Sequence, residues 1–126
     1  MEGIVLKRIS YLESSLILTV ITKDDYYSLI VKGAKKKNSN KLSISEPLSL
    51  IDFNFLGTKS LKTLIDGEVL NHFTKIKNDL DRLTISNILL EYSILVKELN
   101  AKIENIYYLL KNSLQDLETQ ENPEDV

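Results

Sequence analysis

Between Gly3 and Leu70 the apolar residues arrive in short bursts of five to nine, rich in Val, Ile, Tyr and Phe and broken by polar residues, Gly or Pro. Bursts of that length and composition are the mark of β-strands. Five are predicted: Gly3 to Ile9, Ser15 to Thr22, Tyr26 to Lys32, Leu48 to Phe55 and Leu61 to Val69. Alternation is clearest in the fourth, where Ile51, Phe53 and Phe55 share one face and Asp52 and Asn54 the other, so that strand has a wet side. The second, Leu16 to Ile21, is apolar on both faces, as expected of a strand with a barrel interior on one side and a covering element on the other. Lys23-Asp24-Asp25 and Gly57-Thr58-Lys59 suit tight turns, and so does Glu13-Ser14-Ser15 between the first two strands. A longer polar stretch, Gly33 to Glu46, has room for a helical turn around Lys41 and Leu42.

After Asn71 the period changes from two to helical. Ile85, Ile88, Tyr92, Leu95 and Leu99 fall at i, i+3, i+7, i+10 and i+14, with Leu83, Leu90 and Ile94 widening the stripe. This predicts a largely buried helix. A second helix follows Asn100, with Ile103, Ile106, Tyr107, Leu110, Leu114 and Leu117 on one face. Two helices and a small barrel offer too little cover for so wide an apolar surface, at about 25 cal/mol per Å² left in water. More chain or a partner is therefore expected. The pattern as a whole predicts an α+β protein: a five-stranded OB-fold β-barrel over residues 1–75, then an incomplete α-helical region over 76–126.

Charge sharpens this division. Residues 1–75 carry 11 basic and 8 acidic side chains, and residues 76–126 carry 5 and 10, so a front part at +3 precedes a back part at −5. With no cysteine, disulfides and thiolate metal ligands are excluded, and the chain reads as cytoplasmic. No apolar run approaches the roughly 20 residues that cross a bilayer, so no membrane partner is expected. The acidic stretch from Glu118 to Val126, with Pro123, reads as a frayed end.

Catalytic chemistry has little to stand on. His72 is the only histidine, and a structural place at a strand-to-helix junction suits it better than metal binding or a Ser-His pair. A nuclease using Asp24, Asp25 and Asp52 would need those carboxylates to converge, whereas adjacent aspartates in a turn both face water. The four glycines stand alone and form no phosphate-cradling loop. No cofactor is called for.

The informative segment is Lys32-Gly33-Ala34-Lys35-Lys36-Lys37-Asn38-Ser39-Asn40-Lys41, with five ammonium groups in ten residues. Such a run is commonly no more than a solvated loop. On a small barrel it is also suited to holding a nucleic-acid backbone without reading bases. Lys7 and Arg8 at the end of the first strand extend a basic track, and Arg8 has Glu13 and Glu46 as alternative partners. Tyr11, Tyr26 and Tyr27 are candidate stacking platforms for unpaired bases, core packing being expected of at least one of the Tyr26/Tyr27 pair.

Glu2-Gly3-Ile4-Val5-Leu6-Lys7-Arg8, Tyr11-Leu12-Glu13-Ser14-Ser15-Leu16, Thr22, and Lys32-Gly33-Ala34-Lys35-Lys36-Lys37 with Ser39 together resemble the N-terminal domain of the RecO family. Leu61 to Glu68 resembles that domain's closing strand, and Asp79 to Leu99 the first helix of the family's helical domain. Two departures stand out: Asp25-Tyr26-Tyr27 replaces the family's glycine after the second strand, and Glu46-Pro47-Leu48 replaces its Gln-Pro-Phe-like entry to the fourth. The chain also stops before the region where many members carry a cysteine zinc motif, so it reads as a truncated member. The resemblance implies a non-enzymatic recombination mediator that binds single-stranded and duplex DNA, anneals complementary strands, and works with RecR and single-stranded DNA-binding protein to load RecA. It carries DNA contact best onto Lys32, Lys35, Lys36, Lys37 and Lys41, and less directly onto Lys7, Arg8 and Tyr11. The rival is an OB-type module for RNA or a protein partner with no role in repair.

Overall fold

The computed structural model describes residues 1–37 and 39–121. Asn38 of the lysine segment and residues 122–126 of the stretch read as a frayed end lie outside the described residues. The chain divides into two compact units, Met1–His72 and Phe73–Val126.

The first unit is a closed barrel. Its strands are β1 (Glu2–Tyr11), β2 (Ser15–Ile21), β3 (Tyr26–Val31), β4 (Leu50–Leu56) and β5 (Leu61–Asn71), in the order β1-β2-β3-β5-β4. All neighbours run antiparallel except β3 and β5, whose parallel pairing of Ser28 to Ile30 with Leu61 to Thr63 joins the sheet to itself. This is the mixed five-stranded barrel expected of an OB-type fold. Strand alternation fills the interior: Val5, Leu16, Leu18, Val20, Leu29, Val31, Ile51, Phe53 and Leu64 form one buried cluster. β2 is buried on both faces apart from half-buried Ile17. On the wet face of β4, Asp52 accepts from the Met1 amine at 2.9 Å and the Asn54 amide donates to Asp66 at 2.7 Å.

Where the glycine is missing after β2, a threonine closes the turn. The Thr22 hydroxyl donates to the Asp25 carbonyl at 2.8 Å and accepts from the Asp24 and Asp25 amides at 3.3 and 3.2 Å. One side chain thereby satisfies the backbone groups of the reversal. Leu48, expected to open the fourth strand, instead adopts a left-handed conformation at φ 60°, and β4 begins at Leu50.

The second unit holds α2 (Thr74–Lys77), α3 (Leu80–Glu98) and α4 (Ile106–Thr119). Asp79 caps α3, its carboxylate accepting from the Asp81 and Arg82 amides at 3.0 and 3.3 Å. At the other end Asn100 turns left-handed (φ 52°), and the amides of Asn100 and Ala101 bond back to Lys97 and Val96 at 3.1 Å each, a Schellman ending. Two expectations are corrected here. The stripe of Ile85, Ile88, Tyr92, Leu95 and Leu99 is exposed; the buried face of α3 is Arg82, Ser86, Leu90, Ser93 and Val96. Arg82 is buried because its guanidinium donates to the Leu117 and Gln120 carbonyls at 3.1 and 2.6 Å, capping the end of α4. Nor is Glu118 frayed: it lies in α4, and its carboxylate accepts from the Lys75 and Ile76 amides at 2.9 and 2.8 Å. The stripe read for α4 is closer to the mark, with Tyr107, Leu110 and Leu114 buried.

Candidate nucleic-acid interface

The lysine segment leaves β3 at Val31 and is pinned to the barrel before it reaches α1 (Lys41–Ile44). Gly33 makes the exit turn at φ 69°, a conformation that a side chain resists. Ala34 is then 1 % exposed and belongs to the core cluster, as does Ile44 at the far end. Between these anchors the Lys35 amide donates to the Ser14 carbonyl at 2.9 Å, and turns close from Lys36 to Gly33 at 3.1 Å and from Ser39 to Lys36 at 3.0 Å. The Lys41 amide donates to the Ser39 hydroxyl at 3.2 Å.

The backbone of the loop is thus fixed while its ammonium groups stay outside. Lys32, Lys35, Lys36 and Lys37 are exposed and Lys41 is half-exposed. Among the described residues none of the five makes an ion pair. Five cations on a tethered loop, with no carboxylate within the segment to neutralise them, concentrate positive charge there.

Strand register decides which other candidates join them. Tyr11 lies opposite Ser15, Ile9 opposite Ile17, and Lys7 opposite Thr19. Val31, where β3 ends, lies opposite Leu16, one row short of the Tyr11–Ser15 pair, and Lys32 follows in the turn. Tyr11 is 38 % exposed at the tip of the β1–β2 hairpin, beside Leu12 at 77 %. Lys7 shares its face farther along the strand. Arg8 does not, since it lies opposite Leu18 and points to the other side of β1, where it too is exposed. A bulge between Val5 and Lys7 sets this phase, and the hydrophobic pattern gives no sign of it.

Tyr27 is not a free platform. It packs on the core cluster with its ring 5.1 Å from that of Phe55. Tyr26 is half-buried, and burial, assisted by the Asp25 carboxylate, raises its phenol pKa above the usual 10.0. The strand pattern also fails to single out Lys62, whose ammonium sits 5.6 Å from the Phe55 ring centre and donates to the Lys59 carbonyl at 2.9 Å. Its only sequence signal is a lysine either side of the Ser60-Leu61 step that opens β5.

The carboxylates of the nuclease reading do not converge. Asp24 and Asp25 are exposed in the β2–β3 turn, and Asp52 pairs with the Met1 amine on β4. No group of three or more His, Asp or Glu side chains suited to a metal ion occurs among the described residues. His72 is exposed just past the end of β5. No described helix is long and apolar enough to cross a membrane.

A closed OB-type barrel with a cationic loop held against one hairpin defines the class. The family model for the N-terminal part of recombination protein O matches residues 1–73, and the chain belongs to the RecO family. It is 32 % identical over 126 residues to the DNA repair protein RecO of Caldicellulosiruptor saccharolyticus, covering 99 % of this chain and 52 % of that protein. The protein of the same name from Caldicellulosiruptor bescii is 32 % identical over 124 residues, 98 % of this chain and 51 % of its own. That of Clostridium acetobutylicum is 31 % identical over 126 residues, 94 % and 51 %. The chain thus spans about half the length of the curated relatives it matches.

Proposed function

We propose that this chain is the barrel-bearing half of a RecO-type repair mediator: a non-catalytic, cytoplasmic protein that holds single-stranded and duplex DNA on its lysine loop. In this reading it promotes annealing and, with RecR and single-stranded DNA-binding protein, the loading of RecA. The observation that carries the proposal is the loop itself, with Lys32, Lys35, Lys36, Lys37 and Lys41 free of ion pairs among the described residues on a backbone anchored at Ala34 and Ile44.

The physics is charge neutralisation. Two complementary strands repel through their phosphates, and a strand whose phosphates face ammonium groups can be approached by its complement. Contacts of this kind are blind to sequence, as annealing requires. Tyr11, exposed at the end of β1, adds a ring on which one base can stack, worth roughly 1–3 kcal/mol.

The test mixes complementary oligonucleotides carrying a fluorophore and a quencher, with and without the protein. Faster annealing that is lost when Lys35, Lys36 and Lys37 become Ala is the expected result. Annealing unchanged by the protein, or matched RNA displacing DNA from it, would contradict the proposal and favour an RNA or protein-binding module.

A further inference from the structure

Among the described residues, five other than glycine hold a positive φ: Leu12 (57°), Leu48 (60°), Phe73 (50°), Asn100 (52°) and Asn105 (60°). Asparagine tolerates this conformation, and both asparagines border helices, Asn100 past the end of α3 and Asn105 before α4. Leu48 and Phe73 are 2 and 0 % exposed, so burial of a large side chain offsets the strain. Leu12 has neither compensation. It is a leucine, 77 % exposed, in the turn between Tyr11 and Ser15 that joins β1 to β2. An exposed leucine by itself is ordinary. One held in a disfavoured backbone conformation, with no burial in return, does nothing for the fold, and strain of that kind collects where a chain meets a ligand.

The surroundings of Leu12 choose the ligand. Two residues on, the Ser14 carbonyl accepts from the Lys35 amide at 2.9 Å, which ties the turn to the lysine loop. Tyr11 precedes Leu12 at 38 % exposure, and Ile9 stands two residues earlier at 56 %, extending an apolar edge back along β1. Glu13, exposed beside the leucine, repels phosphates. A nucleic-acid strand whose backbone lies on the lysines therefore meets the tip by its bases. A single apolar side chain next to cations that hold the backbone has the form of a wedge, and leucine is among the residues that enter base steps and part them. An anionic membrane would call for several apolar residues in one plane and no carboxylate among them.

We propose that Leu12 is an unstacking wedge. It enters a step between two stacked bases of the single strand whose phosphates lie on the lysine loop, and Tyr11 receives the face of the base so freed. The proposal rests on the lysine loop as the DNA site and adds a conformational step to charge neutralisation. Unpaired purines stack on one another, and a strand parted at one step presents those bases to its complement.

The test uses the 126-residue chain and a short single strand of adenines with a central 2-aminopurine, whose fluorescence is quenched by stacking. The parent is expected to raise that fluorescence at least about twofold at saturation. Leu12→Asn, which suits the positive φ, is expected to lose the rise and to melt no lower than the parent. By the anisotropy of an end label it binds at most about tenfold more weakly, because the phosphate contacts remain. Leu12→Met retains the rise. Binding of the parent without a rise, or a rise undiminished in Leu12→Asn, overturns the wedge and leaves the lysine loop standing as the DNA site. A parent that does not bind overturns both. A Leu12→Asn chain that melts well below the parent overturns the wedge by making Leu12 structural. Capture of the parent by phosphatidylglycerol vesicles, lost in Leu12→Asn and unaccompanied by a fluorescence rise on DNA, would assign the tip to a membrane surface instead.

Discussion

Gly3→Ala is the sharpest single test of how the barrel closes. Gly3 lies opposite Ile51 where β1 crosses from its pairing with β4 to its pairing with β2. A Cβ added there would stand 2.6 Å from the Val20 methyl, 2.9 Å from the Ile21 carbonyl oxygen and 3.1 Å from the Phe53 ring. Val20 and Phe53 are 0 and 1 % exposed, so neither has free space to turn into. The Ile21 carbonyl is backbone and moves only if the sheet does. Overpacking of this sort costs about 1–3 kcal/mol. For a unit of this size, about 2 kcal/mol lowers the melting temperature by roughly 8–16 °C. Circular dichroism melts of the two proteins read it directly. A variant that melts within about 2 °C of the parent would mean that β1 and β2 do not approach each other as described, since a 2 °C change corresponds to less than about 0.5 kcal/mol.

Arg82→Ala removes both donors that cap the end of α4 and should destabilise the helical unit by about 2–4 kcal/mol; loss of ellipticity at lower temperature, not recovered by Arg82→Lys, checks it. Thr22→Val leaves the Asp24 and Asp25 amides without their acceptor and should cost about 1–2 kcal/mol in a denaturant titration, while Thr22→Ser retains most of the stability. The raised phenol pKa of Tyr26 gives a pH prediction. Below pH 10.0 the phenol is protonated in both folded and unfolded chains and its contribution is fully present; as the pH rises past 10.0 the unfolded chain loses the proton first, and stability falls until the folded phenol has ionised as well. Ultraviolet titration should show a late-ionising tyrosine that Tyr26→Phe removes and that Asp25→Asn shifts part of the way back.

The barrel was legible because each of its strands obeys one local rule. Ile51, Phe53 and Phe55 alternate with Asp52 and Asn54, and the apolar run of β2 answers to burial on both faces. What the pattern could not convey was the use made of an apolar stripe. Hydrophobic periodicity gives the same signal for a face turned to the core and for a seam left open, so Ile85 to Leu99 read as buried. The true inner face went unseen because it holds Ser86, Ser93 and Arg82, small or charged residues whose burial depends on the approach of α4 and on the carbonyls at its end. The site was legible in composition and not in geometry. Five lysines in ten residues marked the loop, but which face of β1 beyond Lys7 lies over the interior depends on a one-residue bulge, and Lys62 acquires its place only where β4 and β5 pair and bring it beside Phe55.

Fluorescence anisotropy of a labelled single-stranded oligonucleotide over a salt series, beside the Lys35→Ala, Lys36→Ala, Lys37→Ala variant, bears most directly on the lysine loop as the DNA site. If all five ammonium groups meet phosphates, log K falls against log salt with a slope of roughly −3.5, and the triple variant flattens it by roughly 2. The variant should melt with the parent, since the three side chains are exposed and the Lys35 amide keeps its bond to Ser14. Binding with the same slope in both proteins would place the DNA elsewhere on the chain, and a parent that does not bind at low salt would contradict the loop's role altogether.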